Sequence, residues 1–176
     1  MTQQEHAQLI QEEADGHVLF GIDRAFARKF FTDVPLRTIE RDIGEATYFE
    51  KLVVFGAFIG APICLLVSVV FAVLYFRWWS ILMVPASIAF WFLFSGTSSM
   101  GRSRLFGTSL LLLAALALHI FTSFEPRLTL FLLFAALAFW LNRLMYLAAT
   151  LFLRALVIRS HRAFSFLHEH ITIKRT

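Results

Sequence analysis

The stretch that decides the fold is LTLFLLFAALAFWLNRLMYLAATLFLRALVIRSHRAFSFLHEH, residues 128–170. It predicts one long helix that begins outside a membrane, crosses it and continues into the cytosol to about His170. At about 100° of rotation per residue, the polar side chains that fall within roughly 20° of a common direction are Arg143, Thr150, Arg154 and His161. Charges inside a bilayer are costly and face a partner or a cavity, so this stripe is a candidate pore-lining or partner-facing surface.

Helix length places Arg143 near the edge of the membrane. Leu128 to Ile158 would extend about 46 Å, against a hydrocarbon core of about 30 Å. If the helix enters just after Arg127, Arg143 lies only about 6 Å inside the core and its guanidinium reaches the cytoplasmic interface. The stripe then continues as the acid-facing side of a projecting helix. The alternative is that Arg143 faces an aqueous path between subunits and favours anions.

Composition extends this reading to the whole chain. Of 176 residues, 59% are hydrophobic and only 16% are charged, which is too apolar for an ordinary soluble domain. Apolar runs long enough to cross a bilayer cover Leu52–Phe76, Trp78 to about Phe94, Leu105–Thr122 and the stretch from Leu128. The prediction is an all-α membrane protein with four transmembrane helices, N-terminal amphipathic helices and a C-terminal helical extension on the cytoplasmic side.

Basic residues at the ends of these runs predict the topology. The first connection carries only Arg77 and the third only Arg127, whereas the second carries Arg102 and Arg104 and both chain ends carry several. By the positive-inside tendency, both termini are cytoplasmic in a bacterial-type inner (plasma) membrane. No apolar run precedes Leu52, so we expect the first transmembrane helix to insert the chain.

Three regions are expected along the chain: a cytoplasmic or juxtamembrane helical region at 1–51, a four-helix transmembrane domain at 52–158 and a basic cytoplasmic tail at 159–176. Residues His17 to Phe31 predict a basic amphipathic helix. From Leu36 the apolar residues recur at three- and four-residue steps without a break into the first membrane run. This pattern predicts a juxtamembrane helix joined rigidly to the first transmembrane helix.

Charge is divided between the two parts of the chain. Residues 1–52 hold six Lys/Arg and ten Asp/Glu, a net charge of −4, and the remainder holds ten and two, a net charge of +8. We therefore expect ion pairs between the cytoplasmic ends of the helices. The acidic side chains considered are Glu40, Asp42, Glu45 and Glu50, and the basic ones are Arg154, Arg159 and Arg162.

Gly56 and Gly60 have the G-x-x-x-G spacing inside the first membrane run. Two glycines four residues apart leave a flat groove that another helix backbone can approach closely. They are candidate helix-association residues, although such spacings also arise by chance in apolar helices.

Catalytic, metal and cofactor sites are not predicted. Gly96 to Ser103 superficially resembles a phosphate-binding loop, but Arg102 replaces its lysine and the stretch joins two membrane runs rather than a strand and a helix. His119 has no second histidine in a membrane run, so we expect it to bond to a neighbouring helix. His168 and His170 are two residues apart and do not share a helix face, which disfavours a metal site.

The sequence thus favours a non-catalytic multi-pass integral membrane protein that acts through self-association or as a partner in a membrane complex. The expected partners are membrane lipid and a second copy or another membrane protein, and nucleic acid is not expected. One alternative is an oligomeric membrane pore, channel or permeabilising effector. Another is a membrane enzyme that acts on lipid.

Overall fold

The computed structural model describes residues 3–100 and 105–175, and the chain is about 85% helical. Residues 101–104 lie outside the described residues. They include Arg102 and Arg104 of the second connection and the last three residues of the phosphate-loop-like stretch. In chain order the helices and strands are α1 Gln3–Ala14, β1 Val18–Ile22, α2 Arg24–Asp33, α3 Leu36–Ile43, α4 Tyr48–Phe76, a 3₁₀ turn Arg77–Trp79, α5 Ser80–Met100, α6 Leu105–Phe121, α7 Pro126–Arg159, α8 His161–Leu167, a 3₁₀ turn His168–His170 and β2 Ile171–Arg175.

The chain divides into two compact units. The terminal unit consists of residues 1–54 and 146–176, and the apolar unit consists of residues 55–145. Two helices, α4 and α7, contribute residues to both units.

In the terminal unit the two ends of the chain form one antiparallel ribbon. Strand β1 pairs with β2, with Val18 opposite Arg175 and Ile22 opposite Ile171. Val18 and Phe20 are buried and Leu19 is exposed, as the two-residue period of a strand requires. The core beneath the ribbon also contains Phe31, Ile39, Leu153, Leu156, Val157, Phe164 and Leu167.

In the apolar unit α4 and α6 each run antiparallel to α7. The Ser68 hydroxyl of α4 donates to the carbonyl of Phe131 at 3.1 Å, near the start of α7. The Trp140 Nε1–H of α7 donates to the Ser109 hydroxyl of α6 at 3.0 Å. His119, near the end of α6, contacts Thr129 near the start of α7, so the order of contacts along the two helices is reversed, as in an antiparallel pair.

Within the part of the chain that the structure describes, two helical segments are long and apolar enough to cross a membrane. They are Tyr48–Leu93, with 46 residues, and Pro126–Arg159, with 34. Only 22% and 28% of their most apolar windows are buried. A core helix of a soluble protein would be mostly buried, whereas here large side chains such as Leu66 and Phe92 are about two-thirds exposed, at 65% and 64%. Helix α6, with 17 residues, is apolar but shorter.

The prediction of one continuous helix from residue 128 to about His170 is wrong. Helix α7 ends at Arg159, and Ser160 adopts an extended conformation with φ −122° and ψ 117°. The Ser160 hydroxyl accepts a hydrogen bond from the amide of Ala163 at 3.3 Å, the usual N-cap arrangement, and α8 begins there. His161 therefore belongs to a different helix from Arg143, Thr150 and Arg154. Beyond α8, the tail predicted to be a helical extension ends in strand β2.

Two predictions about the N-terminal region are also wrong. Residues His17 to Phe31 do not form a single helix, because β1 ends at Ile22 and the Asp23 carboxylate caps a new helix by accepting from the amide of Phe26 at 2.7 Å. The juxtamembrane helix is not continuous with the first apolar helix. Gly44, with φ +80°, ends α3 in the left-handed conformation that glycine adopts without strain, and α4 begins at Tyr48.

Candidate functional site

The main polar contact of the terminal unit joins α1 to the end of α7. Glu13 is seven residues after His6, so both side chains lie on one face of α1. The face meets Arg154 and Val157, which are three residues apart on α7. Two of the predicted stripe residues, Arg154 and His161, take part in this contact.

Glu13 and Arg154 form an ion pair that is partly withdrawn from water. The Arg154 Nε–H donates to Glu13 Oε1 at 3.1 Å, and an Nη2–H of the same guanidinium donates to the same oxygen. The Glu13 side chain is only 12% exposed and that of Arg154 is 35% exposed. A carboxylate this buried needs its cation, since an uncompensated buried charge costs several kcal/mol.

His6 binds an otherwise unsatisfied end of α7. The last four carbonyls of a helix have no partner within it, and that of Val157 is one of the four in α7. A carbonyl can only accept, so Nε2 of His6 donates to the Val157 oxygen at 3.1 Å. The buried His6 ring stands edge-on to the His161 ring with centroids 5.3 Å apart, and to Phe164 at 5.1 Å. The contact thus tethers the α7 terminus to α1 and α8.

The predicted pairing of acidic and basic helix ends occurs in part. Arg159 lies 3.6 Å from a carboxylate oxygen of Glu45 and 3.8 Å from one of Glu50. Arg154 pairs with Glu13 instead of the acidic residues predicted for it, because α1 folds back onto the end of α7. Arg162 places a guanidinium nitrogen beside Gly44, at the C-terminus of α3, where a cation is favourable to the helix dipole.

The other stripe residues have different surroundings. The Thr150 hydroxyl donates to the Tyr146 carbonyl one turn earlier on α7 at 2.8 Å, so it bonds within its own helix. Arg143 is half-buried and belongs to the apolar unit. Of the four stripe residues, Arg154 and His161 are the two that take part in the contact with α1.

The two candidate association glycines differ in their surroundings. A Cβ atom at Gly60 would lie 3.2 Å from Leu141 Cδ1 of α7, so this glycine is used for packing within the chain. A Cβ atom at Gly56 would meet nothing within 4 Å, and Gly56 is exposed. Only Gly56 therefore has space for a helix from outside the chain.

Packing inside the apolar unit uses a small-residue pair that the sequence analysis missed. Ala57 and Ala61 are buried, at 4% and 2% exposed, and they have the same four-residue spacing one position further along α4. The signal was present, because any small residues at this spacing allow close helix approach. An almost uniformly apolar helix gives no periodicity that distinguishes the two registers.

His119 forms the predicted bond to a neighbouring helix. Its Nδ1 lies 2.8 Å from the Thr129 hydroxyl oxygen of α7. That hydroxyl donates its proton to the Pro126 carbonyl at 3.1 Å, so its oxygen accepts from Nδ1–H. His119 is thereby accounted for by the packing of α6 on α7.

The surface of α3 carries an exposed ion pair. The Arg41 Nε–H donates to the Asp42 carboxylate at 2.7 Å. This bond holds the pKa of the Asp42 carboxyl below its usual value and raises the pKa of the Arg41 guanidinium. The Arg41 side chain is 75% exposed, so solvent screens the pair and it contributes little to folding.

A cavity of about 340 Å³ lies between α2 and the turn that follows α8. Its lining residues are Phe26, Lys29, Phe30, Asp33, Val34, Phe166, Leu167 and His170. No sequence pattern indicated it, because its two walls come from segments more than 130 residues apart. Among the described residues, no group of three or more His, Cys, Asp or Glu side chains is placed to hold a metal ion.

Comparison of the chain with protein-family models, with curated proteins and with solved structures gave no match.

Proposed function

We propose that this chain is a four-crossing integral membrane protein that works by association, with a second copy or with another membrane protein, and performs no catalysis. The observation that carries the topology is the antiparallel pairing of β1 with β2 in the terminal unit. Because segments from both ends of the sequence fold together, both ends lie on the same side of a membrane. The number of crossings between them is therefore even.

Segment length favours four crossings over two. The 46-residue segment Tyr48–Leu93 would extend about 69 Å as a straight helix, more than twice the bilayer core of about 30 Å. Arg77 interrupts it with φ +49°, unusual for a residue other than glycine. Trp78 and Trp79 follow and are exposed, as expected of tryptophans at a membrane interface. The segment therefore supplies two crossings, α4 and α5.

Helices α6 and α7 supply the other two crossings. Helix α6 would extend about 26 Å, a few ångströms less than the core, a mismatch that local thinning accommodates at modest cost. The 34 residues of α7 would extend about 51 Å, so this helix continues beyond the bilayer into the terminal unit. The basic residues that flank the apolar runs support a cytoplasmic position for that unit, in a plasma-type inner membrane.

Association is proposed for the open face of α4. Gly56 is exposed between the exposed side chains of Phe55 and Ile59, and nothing in the described chain covers its Cα. A glycine in this position lets a second helix approach closely while the flanking apolar side chains pack around it. The polar groups of the terminal unit hold its own helices together, as in the pairs Glu13–Arg154 and His6–Val157. This use favours a structural role for them over a catalytic one.

The pore alternative lacks such support. It requires the stripe to face water, yet the Arg154 guanidinium is bound to Glu13 and the Thr150 hydroxyl is bound within its own helix. These bonds favour association over a pore.

Subunit counting in lipid nanodiscs tests the association. We expect the unmodified protein to form dimers or higher oligomers, or to retain a partner through purification. Gly56→Leu should give monomers free of the partner, because the new side chain blocks close approach. The matched control is Gly107→Leu on α6, where a side chain also meets open space. Gly60→Leu is unsuitable because it would collide with Leu141.

A strictly monomeric protein with no co-purifying partner would contradict the proposed association. The same conclusion would follow if Gly56→Leu left the subunit number and the partner unchanged.

A further inference from the structure

One face of α4 is open along almost the whole helix. From Phe49 to Val73, apolar residues follow one another at alternating steps of three and four, and each of them is exposed. The buried residues of α4, such as Ala61 and Ser68, lie about 180° around the helix, on the face that packs on α7. Helix α4 thus uses one face within the chain, and the described residues leave the opposite face uncovered. We refer to this exposed stripe as the α4 seam.

The residue types along the α4 seam are those of a two-stranded coiled coil. Steps of three and four average about 3.5 residues, the repeat that winds two helices into a left-handed pair. The a positions are Phe49, Gly56, Ile63 and Val70, and the d positions are Leu52, Ile59, Leu66 and Val73. β-Branched side chains at a, as at Ile63 and Val70, together with leucine at d favour two parallel strands. Gly56 at an a position lets the two backbones approach closely.

The second glycine of the G-x-x-x-G spacing lies outside the seam. A Cβ atom at Gly60 would lie 3.2 Å from Leu141 Cδ1 of α7, so this position is already used within the chain. A right-handed crossing that needs both glycines is therefore blocked, whereas the left-handed pairing through Gly56 is open.

The charges of α4 are turned away from the seam. Its two charged residues are Glu50 and Lys51. A Glu50 carboxylate oxygen lies 3.8 Å from the Arg159 guanidinium, and the Lys51 ammonium donates to the Val34 carbonyl. Both charges are bound within their own chain, so a second copy meets an uncharged surface along the whole seam.

The cytoplasmic end of the seam extends beyond the hydrocarbon of the proposed membrane. Helix α4 has 29 residues and would extend about 44 Å, whereas about 20 residues cross the core. With Phe76 at the outer boundary, roughly the first nine residues of α4 lie outside the core. Phe49 and Leu52 are in this part and are 68% and 72% exposed. Acyl chains do not reach them there, but a second helix would cover them.

We propose that α4 pairs with α4 of a second copy of this chain, in parallel and along the seam, as a left-handed coiled coil. Two copies with the same topology in one membrane present the same stripe to each other around a two-fold axis. The inference rests on the proposed association and specifies its partner and its geometry.

Disulfide cross-linking in native membranes tests the geometry, with single cysteines introduced into the full-length chain in a Cys64→Ala background. Around a parallel two-fold axis each a or d residue meets its own counterpart, so Leu52→Cys, Ile59→Cys and Leu66→Cys should form covalent dimers on oxidation. The matched control is Phe58→Cys, which is as exposed as Ile59, at 40% against 41%, but about 100° away around the helix. We expect Ile59→Cys to give about fivefold more dimer than Phe58→Cys, because a disulfide requires Cα atoms within about 7 Å.

Co-purification of two differently tagged unmodified copies from the same cells tests the partner. The proposal predicts that each tag recovers the other copy.

Equal dimer yields from Ile59→Cys and Phe58→Cys would overturn the seam. Retention of another protein without the second tagged copy would overturn the choice of partner and leave the proposed association standing. Retention of neither would remove the proposed association as well.

Discussion

At the scale of single residues, the attachment of α1 depends on a carboxylate that is nearly out of water. Glu13 is 12% exposed and its charge is balanced by the Arg154 guanidinium, itself 35% exposed. The pairs formed by Arg159 are more exposed, with the arginine side chain at 58%. Since solvent weakens exposed pairs, the two arginines should differ in their contribution to stability.

We therefore predict that Arg154→Gln frees α1 from the end of α7. The free energy that holds α1 on α7 should fall by about 1–3 kcal/mol. This is less than the cost of breaking a fully buried pair, because Arg154 is partly solvated. Hydrogen exchange of the α1 amides should accelerate accordingly, and Glu13→Gln added to Arg154→Gln should recover part of the protection. The matched control, Arg159→Gln, should cost less than about 1 kcal/mol. Equal effects of the two arginine variants would contradict this assignment.

At the scale of the elements, the break between α3 and α4 depends on one backbone conformation. Gly44 has φ +80°, and a Cβ atom there would meet only an Arg162 nitrogen at 3.5 Å. Space is therefore not the constraint at this position. The constraint is the left-handed backbone conformation, which strains any residue other than glycine.

We accordingly predict that Gly44→Ala lowers the stability of the terminal unit by about 1 kcal/mol. Thermal melting followed by circular dichroism, or hydrogen exchange in α3, measures the loss. Gly56→Ala is the control, because alanine is favoured over glycine in a helix and meets open space there. An unchanged melting temperature in Gly44→Ala would contradict this claim, because it would mean that the left-handed conformation at residue 44 does not penalise a side chain.

Helix boundaries were predictable where a local signal marks them. The ends of the first and third apolar runs agree closely with Phe76, Leu105 and Phe121, because composition changes there. Ser160 and Asp23 are capping residues whose signals were overlooked, and the caps account for the breaks found at both. The pairing of β1 with β2 joins segments about 150 residues apart, so no local pattern indicates it.

For the candidate site, the sequence predicted that ion pairs form but not which residues form all of them. The sequence correctly indicated ion pairs between acidic N-terminal and basic C-terminal segments, and Arg159 forms two of them. It did not indicate that Glu13 would be the partner of Arg154, because the position of α1 depends on packing across the whole terminal unit. The cavity at Phe26 and Phe166 was missed for the same reason.

At the scale of the whole molecule, the proposed topology follows from three features. Both ends of the sequence fold into one unit, the apolar helices expose most of their surface, and Arg77 interrupts a segment too long for a single crossing. Together these features support the proposal of an even number of crossings, and of four rather than two. The proposed cytoplasmic position of the terminal unit rests on the basic residues that flank the apolar runs.

Cysteine accessibility in intact cells tests this topology most directly, with single cysteines introduced into a Cys64→Ala background and labelled by a membrane-impermeant maleimide. We predict that Ser80→Cys and Ser123→Cys react in intact cells, whereas Asp15→Cys, Ser103→Cys and Glu169→Cys react only after the membrane is opened. Reaction of Ser103→Cys from outside would reduce the crossings to two. Reaction of Asp15→Cys and Glu169→Cys from opposite sides would contradict the account altogether, because the two strands of the ribbon could not then pair.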